Sequence, residues 1–238
     1  MNKKVSIIMP TYNHADFIQT ALDGILEQTY QNFELIIVND GSTDRTIEIL
    51  QNIKDDRIKI LEKKHNGVGD SLNLGFFSAT GEYETWAASD DLFYPEAIEE
   101  MVKILESDPN IDFVYCDCEI GGMDESGLKE IFRVPYNHNI LMDWNPITFY
   151  DKFNIGIIWL WRKELRIKAG EKFMLDPCED YEMVTRMIEA GGKFHHYPKM
   201  LGWKRSHQEC LARKITEDYV NDLIKRMQNK RDNLNQKK

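Results

Sequence analysis

The sequence predicts an α/β protein whose mostly parallel β-sheet is covered by helices on both faces. Short apolar, β-branched runs alternate with segments whose apolar residues recur at helical spacing over the first 117 residues. Each strand-like run is followed by polar or turn-forming residues, as strand-to-helix connections are. Such alternation favours parallel pairing, with ligands bound beyond the carboxyl ends of the strands. The length of 238 residues fits one large domain or two, without disulfides.

The elements of the first half follow from these patterns in chain order. The predicted strands are Val5–Met9, which Pro10 closes, then Leu35–Val38, Ile58–Leu61, Tyr83–Ala88 and Asp112–Asp117. The predicted helices are Phe17–Leu26, Ile47–Ile53, Val68–Ala79 and Ile98–Leu105. Ser42 or Thr43 is expected to cap the second helix, and Pro95 to begin the fourth.

The second half is less regular, and we expect it to form a smaller, irregular region. Gly121-Gly122 predicts a hairpin or loop, and 132–161 is rich in aromatic residues. A helix is predicted over Glu179–Glu189, with strands over Lys193–Tyr197 and Met200–Lys204. We expect one domain over residues 1–213, made of the halves 1–117 and 118–213, followed by a helical tail over 214–238.

The charge balance excludes one class of partner. The chain has 30 Lys and Arg against 40 Asp and Glu, a net charge of −10, whereas sequence-independent nucleic-acid binding needs surplus cations. Residues 214–238 differ, because seven basic and four acidic residues give them a net charge of +3, which leaves −13 on the first 213. The tail is expected to be a docked helix, or a basic amphipathic contact with a membrane or a protein partner.

Neither a secretory signal nor a zinc site is expected. The N-terminal apolar run is far too short for a signal peptide, which predicts a cytoplasmic protein with reduced thiols. Cys116 and Cys118 are two residues apart in a predicted strand, so both thiols would lie on one face. No second Cys or His pair stands at finger spacing.

Polar residues directly after the strands are the candidates for chemistry. Asp90 and Asp91 repel each other at a strand end, so they predict either a hard-cation site or a helix cap. Asp40 begins an Asp-Gly-Ser sequence that forms either a turn or a binding group. Gly67 precedes a predicted helix, but Leu72 stands where a dinucleotide fingerprint has its third glycine, which excludes that motif.

Taken in order, these segments resemble the family 2 glycosyltransferases with the GT-A fold. The resemblance covers about residues 3–210. It is carried by the segments Pro10–Asn13, Glu34–Asp44, Asn66–Asn73, Ala79–Asp91 and Glu179–Tyr181. Glu179 and Asp180, taken alone, are equally explained as acids stabilised in a first helical turn.

The resemblance implies a role for each matching residue. Tyr12 would lie against the base of a nucleotide-sugar donor, and Asp40 would accept a hydrogen bond from the base edge. Asp90 and Asp91 match a DxD-type motif that binds the ribose and a Mg²⁺ or Mn²⁺ ion on the diphosphate, with His207 as a further ligand. Asp180 matches the catalytic base. The remaining donor-binding positions are Pro10, Thr11, Asn13, Gly67, Asn73, Ser89 and Arg205, the last in a flap with His207.

The implied activity is an inverting, metal-dependent transfer of a sugar, with a UDP-sugar as the expected donor. The acceptor would be a glycan or a lipid-linked hydroxyl in surface polysaccharide synthesis, reached in the cytoplasm or at the inner face of the membrane. Trp144, Trp159 and Trp161 would form an acceptor platform or part of the core. Ala88 and Leu72 depart from the family pattern and suggest an alternative, a catalytically silent nucleotide-sugar binding module. A nucleotidyltransferase is a weaker option, because the loop after the first strand lacks the required glycines and arginine.

Overall fold

The computed structural model describes residues 3–123, 129–130, 156–175 and 178–207, and positions 222, 225, 228 and 229. Its strands are β1 (Val5–Thr11), β2 (Phe33–Asn39), β3 (Ile58–Glu62), β4 (Tyr83–Trp86), β5 (Leu92–Phe93), β6 (Phe113–Met123), β7 (Lys129–Glu130), β8 (Ile158–Arg162) and β9 (Phe194–Arg205). Its helices are α1 (Ile18–Leu26), α2 (Thr46–Gln51), α3 (Val68–Ser78), α4 (Ala97–Ser107), α5 (Lys163–Lys168) and α6 (Glu179–Glu189).

These strands form one sheet in the order β3-β2-β1-β4-β8-β6-β9-β5, with β7 paired to β6. Strands β1–β4 are parallel to one another, as the strand–helix alternation predicts, and β6 is parallel to β9. Strand β8 runs antiparallel to both β4 and β6, and β5 runs antiparallel to β9. The α/β class is therefore confirmed, and the pairs from the second half make the sheet a mixed one.

Helices cover both faces of the sheet and bury two apolar clusters. Ile7 faces a cluster with α1 and α4, whereas its neighbour Ile8 faces a second cluster with α3 and α6. This division follows from the two-residue period of a strand, which sends successive side chains to opposite faces. Because both faces are covered, the strands of the first half read as continuous apolar runs rather than as alternating ones.

One buried ion pair joins the two halves of the chain. Arg166 on α5 donates to both carboxylate oxygens of Glu84 on β4, at 2.7 and 2.9 Å, and Glu84 is fully buried. The indole N–H of Trp161 donates to the same carboxylate at 3.3 Å. Both predicted halves, 1–117 and 118–213, therefore contribute to a single sheet and to both apolar clusters.

Several sequence predictions are wrong in detail. Strand β1 continues through Pro10 to Thr11, opposite Asn39 on β2. The hairpin predicted at Gly121-Gly122 is present in part, because Gly122 pairs antiparallel with Glu130 on β7, while Gly121 pairs with Arg205 on β9. The two strands predicted around Pro198 are one strand, whose register shifts opposite Cys116 and Asp117. Proline lacks the N–H that a ladder needs, so it is tolerated at such a bulge.

Two predicted caps are also replaced. Thr46 begins α2, and its N–H is bonded by Asp44 at 2.9 Å, while the hydroxyl of Ser42 accepts from the N–H of Asn13. Strand β5 separates Asp91 from α4, which removes the alternative of a cap for that helix.

No helix within the described part of the chain is long and apolar enough to span a membrane. Of the predicted tail helix, four positions are described, and they are helical. The rest of 214–238 and most of the aromatic segment, Trp144 included, lie outside the described residues.

Candidate active site

The predicted site residues of the first half come together at one edge of the sheet. Strands β1, β2 and β4 are parallel neighbours, so the segments that follow Thr11, Asn39 and Trp86 emerge side by side. The β9 strand brings Arg205 to the same edge, where its backbone N–H meets Asp91 at 2.9 Å. Ligands of such sheets bind beyond the carboxyl ends of the parallel strands. Residues chosen from the sequence by this rule alone are therefore neighbours in the structure.

Asn13 ties the first of these loops to the second. Its side-chain oxygen accepts from the backbone N–H of Thr43 at 2.7 Å, and its own N–H donates to the Ser42 hydroxyl at 3.0 Å. The residue is left-handed, with φ of 53°, a conformation that asparagine tolerates better than most residues. Tyr12 beside it is 38% exposed, whereas Thr11 is buried and its hydroxyl has no partner among the described residues.

Asp40 is 3% exposed and is surrounded by hydrogen-bond donors. One carboxylate oxygen accepts from the Lys63 ammonium and from the N–H of Asn66 at 2.9 Å. The other accepts from the N–H of Gly67 at 2.9 Å and lies 2.9 Å from Nδ1 of His65. Gly67 is left-handed, with φ of 90°, which lets the chain turn into α3 while its N–H points at Asp40.

The two aspartates after β4 have different surroundings. Asp90 is half-buried and lies 2.9 Å from Nε2 of His207. Asp91 points inward to the N–H of Arg205, and burial, together with the charge of Asp90, raises its pKa. The hydroxyl of Ser89, just before them, lies 2.7 Å from Nδ1 of His14. Partial burial lowers the pKa of His14.

Arg205 is buried at the end of β9. Its guanidinium donates to the backbone oxygen of Asp90 at 2.9 Å and lies over the rings of Phe17 and Trp203. His207 also packs on Phe17, with ring centroids 4.4 Å apart. The resemblance implies a flap, but in this structure both side chains are packed against the strand-end loops. Their contact with a diphosphate stays a prediction.

The residues predicted to ligate a metal can be tested by their donor set. Asp90 and His207 present a carboxylate and an imidazole within 2.9 Å of each other. Among the described residues, no three His, Cys, Asp or Glu side chains come together as a metal-binding group. Magnesium-type sites commonly use one or two protein ligands and fill the remaining positions with water and substrate phosphates. The pair therefore fits a divalent cation that is bound together with a diphosphate.

Asp180 lies in the first turn of α6. It lines a small cavity whose other walls are aromatic and apolar side chains, among them Trp86, Trp159, Trp161, Met183 and Met187. Burial raises the pKa of Asp180, although the N–H of Tyr181 and the charge of Lys204 act against the shift. Glu179 is 5% exposed, and burial and the Asp180 charge raise its pKa as well.

The backbone before this acid pair is unusual. Cys178 is left-handed, with φ of 72° and ψ of 31°, and it immediately precedes the first residue of α6. A non-glycine residue held in this region carries conformational strain of about 1–3 kcal/mol. Such strain is sustained only where the surroundings fix the backbone, so the start of α6 is held in place by its packing.

The side chain of Asn73 is hydrogen-bonded to the backbone of Phe173. Its amide nitrogen donates to the backbone oxygen of Phe173 at 2.9 Å, and its oxygen accepts from the N–H of Phe173 at 2.8 Å. Gly69, one turn earlier on α3, lies against the backbone of Met174, where a Cβ atom would come within 2.0 Å of the carbonyl oxygen. Helix α3 thus holds Phe173, which lines the same cavity as Asp180. The prediction that Asn73 binds the nucleotide remains untested.

Of the three predicted platform tryptophans, Trp159 and Trp161 are each 2% exposed and belong to the core on the α6 face. Sequence reasoning missed three other side chains, namely His14, Lys63 and His65. Lys63 and His65 directly follow β3, so the rule applied to the ends of the other strands would have found them. His14 follows Asn13 and could have been selected by the same rule.

Comparison with known proteins adds a family assignment for most of this architecture. The family model described as "Glycosyl transferase family 2" matches residues 6–165, which contain β1–β8. An uncharacterized glycosyltransferase of Rickettsia felis is 41% identical over 226 residues, which cover 89% of this chain and 36% of the relative. The chain thus spans about a third of that relative's length.

Two solved structures share the fold. S. aureus TarS 1-349 in complex with UDP-GlcNAc superposes with a TM-score of 0.71 at 19% identity, covering 92% of this chain and 64% of that one. The mannosyltransferase PcManGT from Pyrobaculum calidifontis, in complex with GDP-Man and Mn²⁺, gives 0.68 at 22% identity, covering 87% and 58%.

Proposed function

The chain belongs to glycosyl transferase family 2, and from this premise we propose that it transfers a sugar from a nucleotide-sugar donor to an acceptor hydroxyl with inversion. The observation that carries the proposal is the presence of two unlike groups of polar residues near the carboxyl end of β4. The strand-end loops supply a ring, carboxylates and backbone N–H groups for a nucleotide. Asp180, which shares its cavity with Trp86 at the end of β4, supplies a carboxylate with a raised pKa.

The donor half would use Tyr12 and Asp40 for the nucleobase, Thr11 and Asn13 for the nucleoside, and Asp90 for the ribose or metal. Support for a nucleotide-sugar comes from the two solved structures, one holding UDP-GlcNAc and the other GDP-Man. We propose a UDP-sugar for this chain. The remaining positions proposed to contact the donor are Pro10, Gly67, Ser89 and Arg205, whereas both amide atoms of Asn73 are bonded to Phe173.

A Mg²⁺ or Mn²⁺ ion would be held by Asp90 and His207, with Asp91 as the third proposed ligand. When bound, the cation neutralises charge on the departing diphosphate. Support comes from the 2.9 Å pairing of Asp90 with His207 and from the Mn²⁺ in the PcManGT complex. The acidic site needs such a cation, because Arg205 is the one predicted donor-binding residue with a positive charge.

Asp180 would act as general base. It takes the proton from the acceptor hydroxyl as that oxygen attacks the anomeric carbon. The bond from the anomeric carbon to the diphosphate oxygen breaks on the opposite face, and its electron pair leaves with the nucleoside diphosphate. A raised pKa makes a carboxylate a stronger base, and positioned proton transfer contributes about 10²–10⁴-fold in rate.

The acceptor would be a glycan or a lipid-linked hydroxyl in the synthesis of a surface polysaccharide. The proposed place of action is the cytoplasm or the inner membrane face, with residues 214–238 as the contact. The net charge of +3 on that segment supports this, since anionic lipid surfaces attract basic segments.

The decisive experiment measures sugar transfer and donor binding in the same variant. Asp180→Asn is expected to lower kcat by about 10²–10⁴-fold while the Kd for UDP changes less than twofold. Glu164→Gln, which changes an exposed acid on α5, is the matched control and should retain full activity. Full turnover by Asp180→Asn would exclude Asp180 as the base.

One alternative function is supported by specific observations. Ala88 and the fully buried Leu72 stand where the family pattern has an acid and an arginine, which suggests a silent nucleotide-sugar binding module. UDP binding by the wild-type protein, without transfer or donor hydrolysis over a broad acceptor panel, would favour the module over the transferase.

A further inference from the structure

The carboxylate of Asp40 has no free acceptor position in this structure. An ionised carboxylate offers about four lone-pair sites. Lys63 and the N–H of Asn66 donate to one oxygen. The N–H of Gly67 donates to the other, which also lies 2.9 Å from Nδ1 of His65, a nitrogen that contacts the backbone oxygen of Asp40 at 3.3 Å as well. A nucleobase N–H can therefore bond to Asp40 only if one of these four donors leaves.

The face of Tyr12 is covered by the same imidazole. The rings of Tyr12 and His65 are stacked, with centroids 4.0 Å apart and planes inclined by 21°. His65 thus makes two contacts with one planar ring, a stack on Tyr12 and a nitrogen contact with Asp40. These are the two contacts that the proposed function assigns to a nucleobase.

Among the four donors, His65 is the one that can leave. Asn66 and Gly67 donate through the backbone of the loop that begins α3, so neither can withdraw alone. The Lys63 ammonium is 12% exposed and is also bonded to Asp70 at 2.9 Å. The His65 side chain is 54% exposed, and its backbone is fixed against Gly41, so a side-chain rotation alone would release the imidazole.

We propose that His65 occupies the nucleobase position in the ligand-free protein and is displaced when the donor binds. The inference rests on the proposed function, since it takes Tyr12 and Asp40 as the base-binding pair. His65 thereby sets the affinity and the selectivity of this position. Only a base that stacks and also offers a ring N–H to Asp40, such as uracil, thymine or guanine, replaces both contacts of the imidazole. Cytosine, whose ring N3 is an acceptor, does not.

Calorimetric titration with UDP and Mn²⁺ tests the displacement. His65→Ala removes the competitor, so the Kd is expected to fall about tenfold, which is the order of one hydrogen bond and one ring stack. His65→Phe keeps a ring but loses the nitrogen, so its Kd for UDP is expected to lie between those of wild type and His65→Ala. His195→Ala, which removes a partly exposed histidine on β9, is the control and should match wild type.

A second readout follows the imidazole itself. In the free protein, the ring-proton NMR signals of His65 are expected to be shifted upfield by the Tyr12 ring and to return toward free-histidine values when UDP is added. His65→Ala identifies the signals by their loss.

The outcomes separate the two proposals. If UDP binds the wild-type protein and His65→Ala leaves its Kd unchanged or weakens it, the imidazole is a platform and the displacement is wrong. If the wild-type protein and His65→Ala both fail to bind UDP, GDP and dTDP, the proposed function fails and the displacement fails with it. Tighter binding by His65→Ala, with weaker binding of CDP than of UDP, supports both.

Discussion

Asp40 and the two acids that begin α6, Glu179 and Asp180, have opposite chemical surroundings. Asp40 and Glu179 are 3% and 5% exposed. The loops around Asp40 supply three hydrogen-bond donors and the nearby imidazole of His65, whereas aromatic and methionine side chains surround Asp180, and the charge of Asp180 raises the cost of ionising Glu179. The degree of burial is the same, but the number of donors differs. A carboxylate with many donors orders the loop that supplies them, while a buried carboxylate with few donors holds its proton more tightly.

The largest expected effect on stability comes from a substitution of Asp40, the carboxylate with many donors. Asp40→Asn replaces one acceptor oxygen by an NH₂ group facing N–H donors and leaves Lys63 without its buried partner. The free energy of unfolding is expected to fall by about 3–5 kcal/mol, as for other broken buried pairs. Urea unfolding measures it, with Asp56→Asn on the exposed loop before β3 as a control expected within about 0.5 kcal/mol of wild type. A loss below about 1 kcal/mol would mean that water replaces Asp40 easily.

A second substitution tests the contact by which α3 holds the segment near Asp180. Asn73→Ala removes both bonds to Phe173, so Asp180 is positioned less well and kcat is expected to fall about tenfold with the Kd for UDP unchanged. Asn73→Asp keeps one of the two bonds and is expected to lose less activity. Asn52→Ala, which removes an exposed amide on α2, is the control. A weaker Kd with unchanged kcat would instead identify Asn73 as a donor-binding residue.

On the donor-poor side, the same acid-to-amide change is expected to stabilise the protein. The folded-state pKa of Glu179 is raised above its ordinary value of 4.5, so the folded protein binds this proton more tightly than the unfolded chain. Wild-type stability therefore falls as the pH rises above about 4.5, and Glu179→Gln avoids that loss.

The variant is expected to be more stable than wild type by about 1 kcal/mol or more at pH 8 and equal to it at pH 4, since one pKa unit is worth about 1.4 kcal/mol. Unfolding curves at both pH values measure the difference, and Glu164→Gln should show none. A variant that is less stable at pH 8 would reveal a stabilising partner of Glu179.

The smallest expected effect uses Cys178 as a reporter of the same surroundings. Burial, with the charges of Asp180 and Glu179, raises the pKa of this thiol to about 11. Its alkylation by iodoacetamide, followed by peptide mass spectrometry, is expected to accelerate about tenfold per pH unit up to pH 10, because the thiolate is the nucleophile. Glu179→Gln should shift the profile modestly to lower pH. An alkylation rate that stops rising near pH 8.5 would indicate that the Cys178 thiol has an ordinary pKa and contradict this prediction.

The local sequence pattern was sufficient to predict the fold of the first half of the chain, which holds the proposed donor site. The strands β1–β4 and the intervening helices follow from apolar periodicity, and Asp40 and Asp90 follow from their places after strands. The position of β8 between β4 and β6 did not follow, because antiparallel pairing across some 70 residues leaves no signal in a local window. Strand β5, with two residues, is too short for any periodicity.

The same limit applies within the site. The sequence shows that Asp90 and Asp91 are adjacent. Their side chains point in opposite directions because one contacts Arg205 and the other His207, and the positions of those residues depend on the tertiary fold. The bond between Asn73 and Phe173 joins positions far apart in the chain, and the stack of His65 on Tyr12 depends on side-chain rotamers. These contacts are set by tertiary packing, and they determine which of the candidate groups are accessible to a ligand.

The place of β8 in the sheet has a consequence for synthesis of the chain. Strand β4 is complete at Trp86, but its antiparallel neighbour begins at Ile158. At about 5–20 residues per second, the ribosome takes roughly 4–14 s to make the intervening segment. During that interval the nascent chain presents a parallel sheet whose β4 edge, unlike that of the complete fold, is unpaired, the kind of surface that recruits other strands. Fragments that end before Ile158 are therefore expected to aggregate, and folding yield should depend on chaperones that shield this edge.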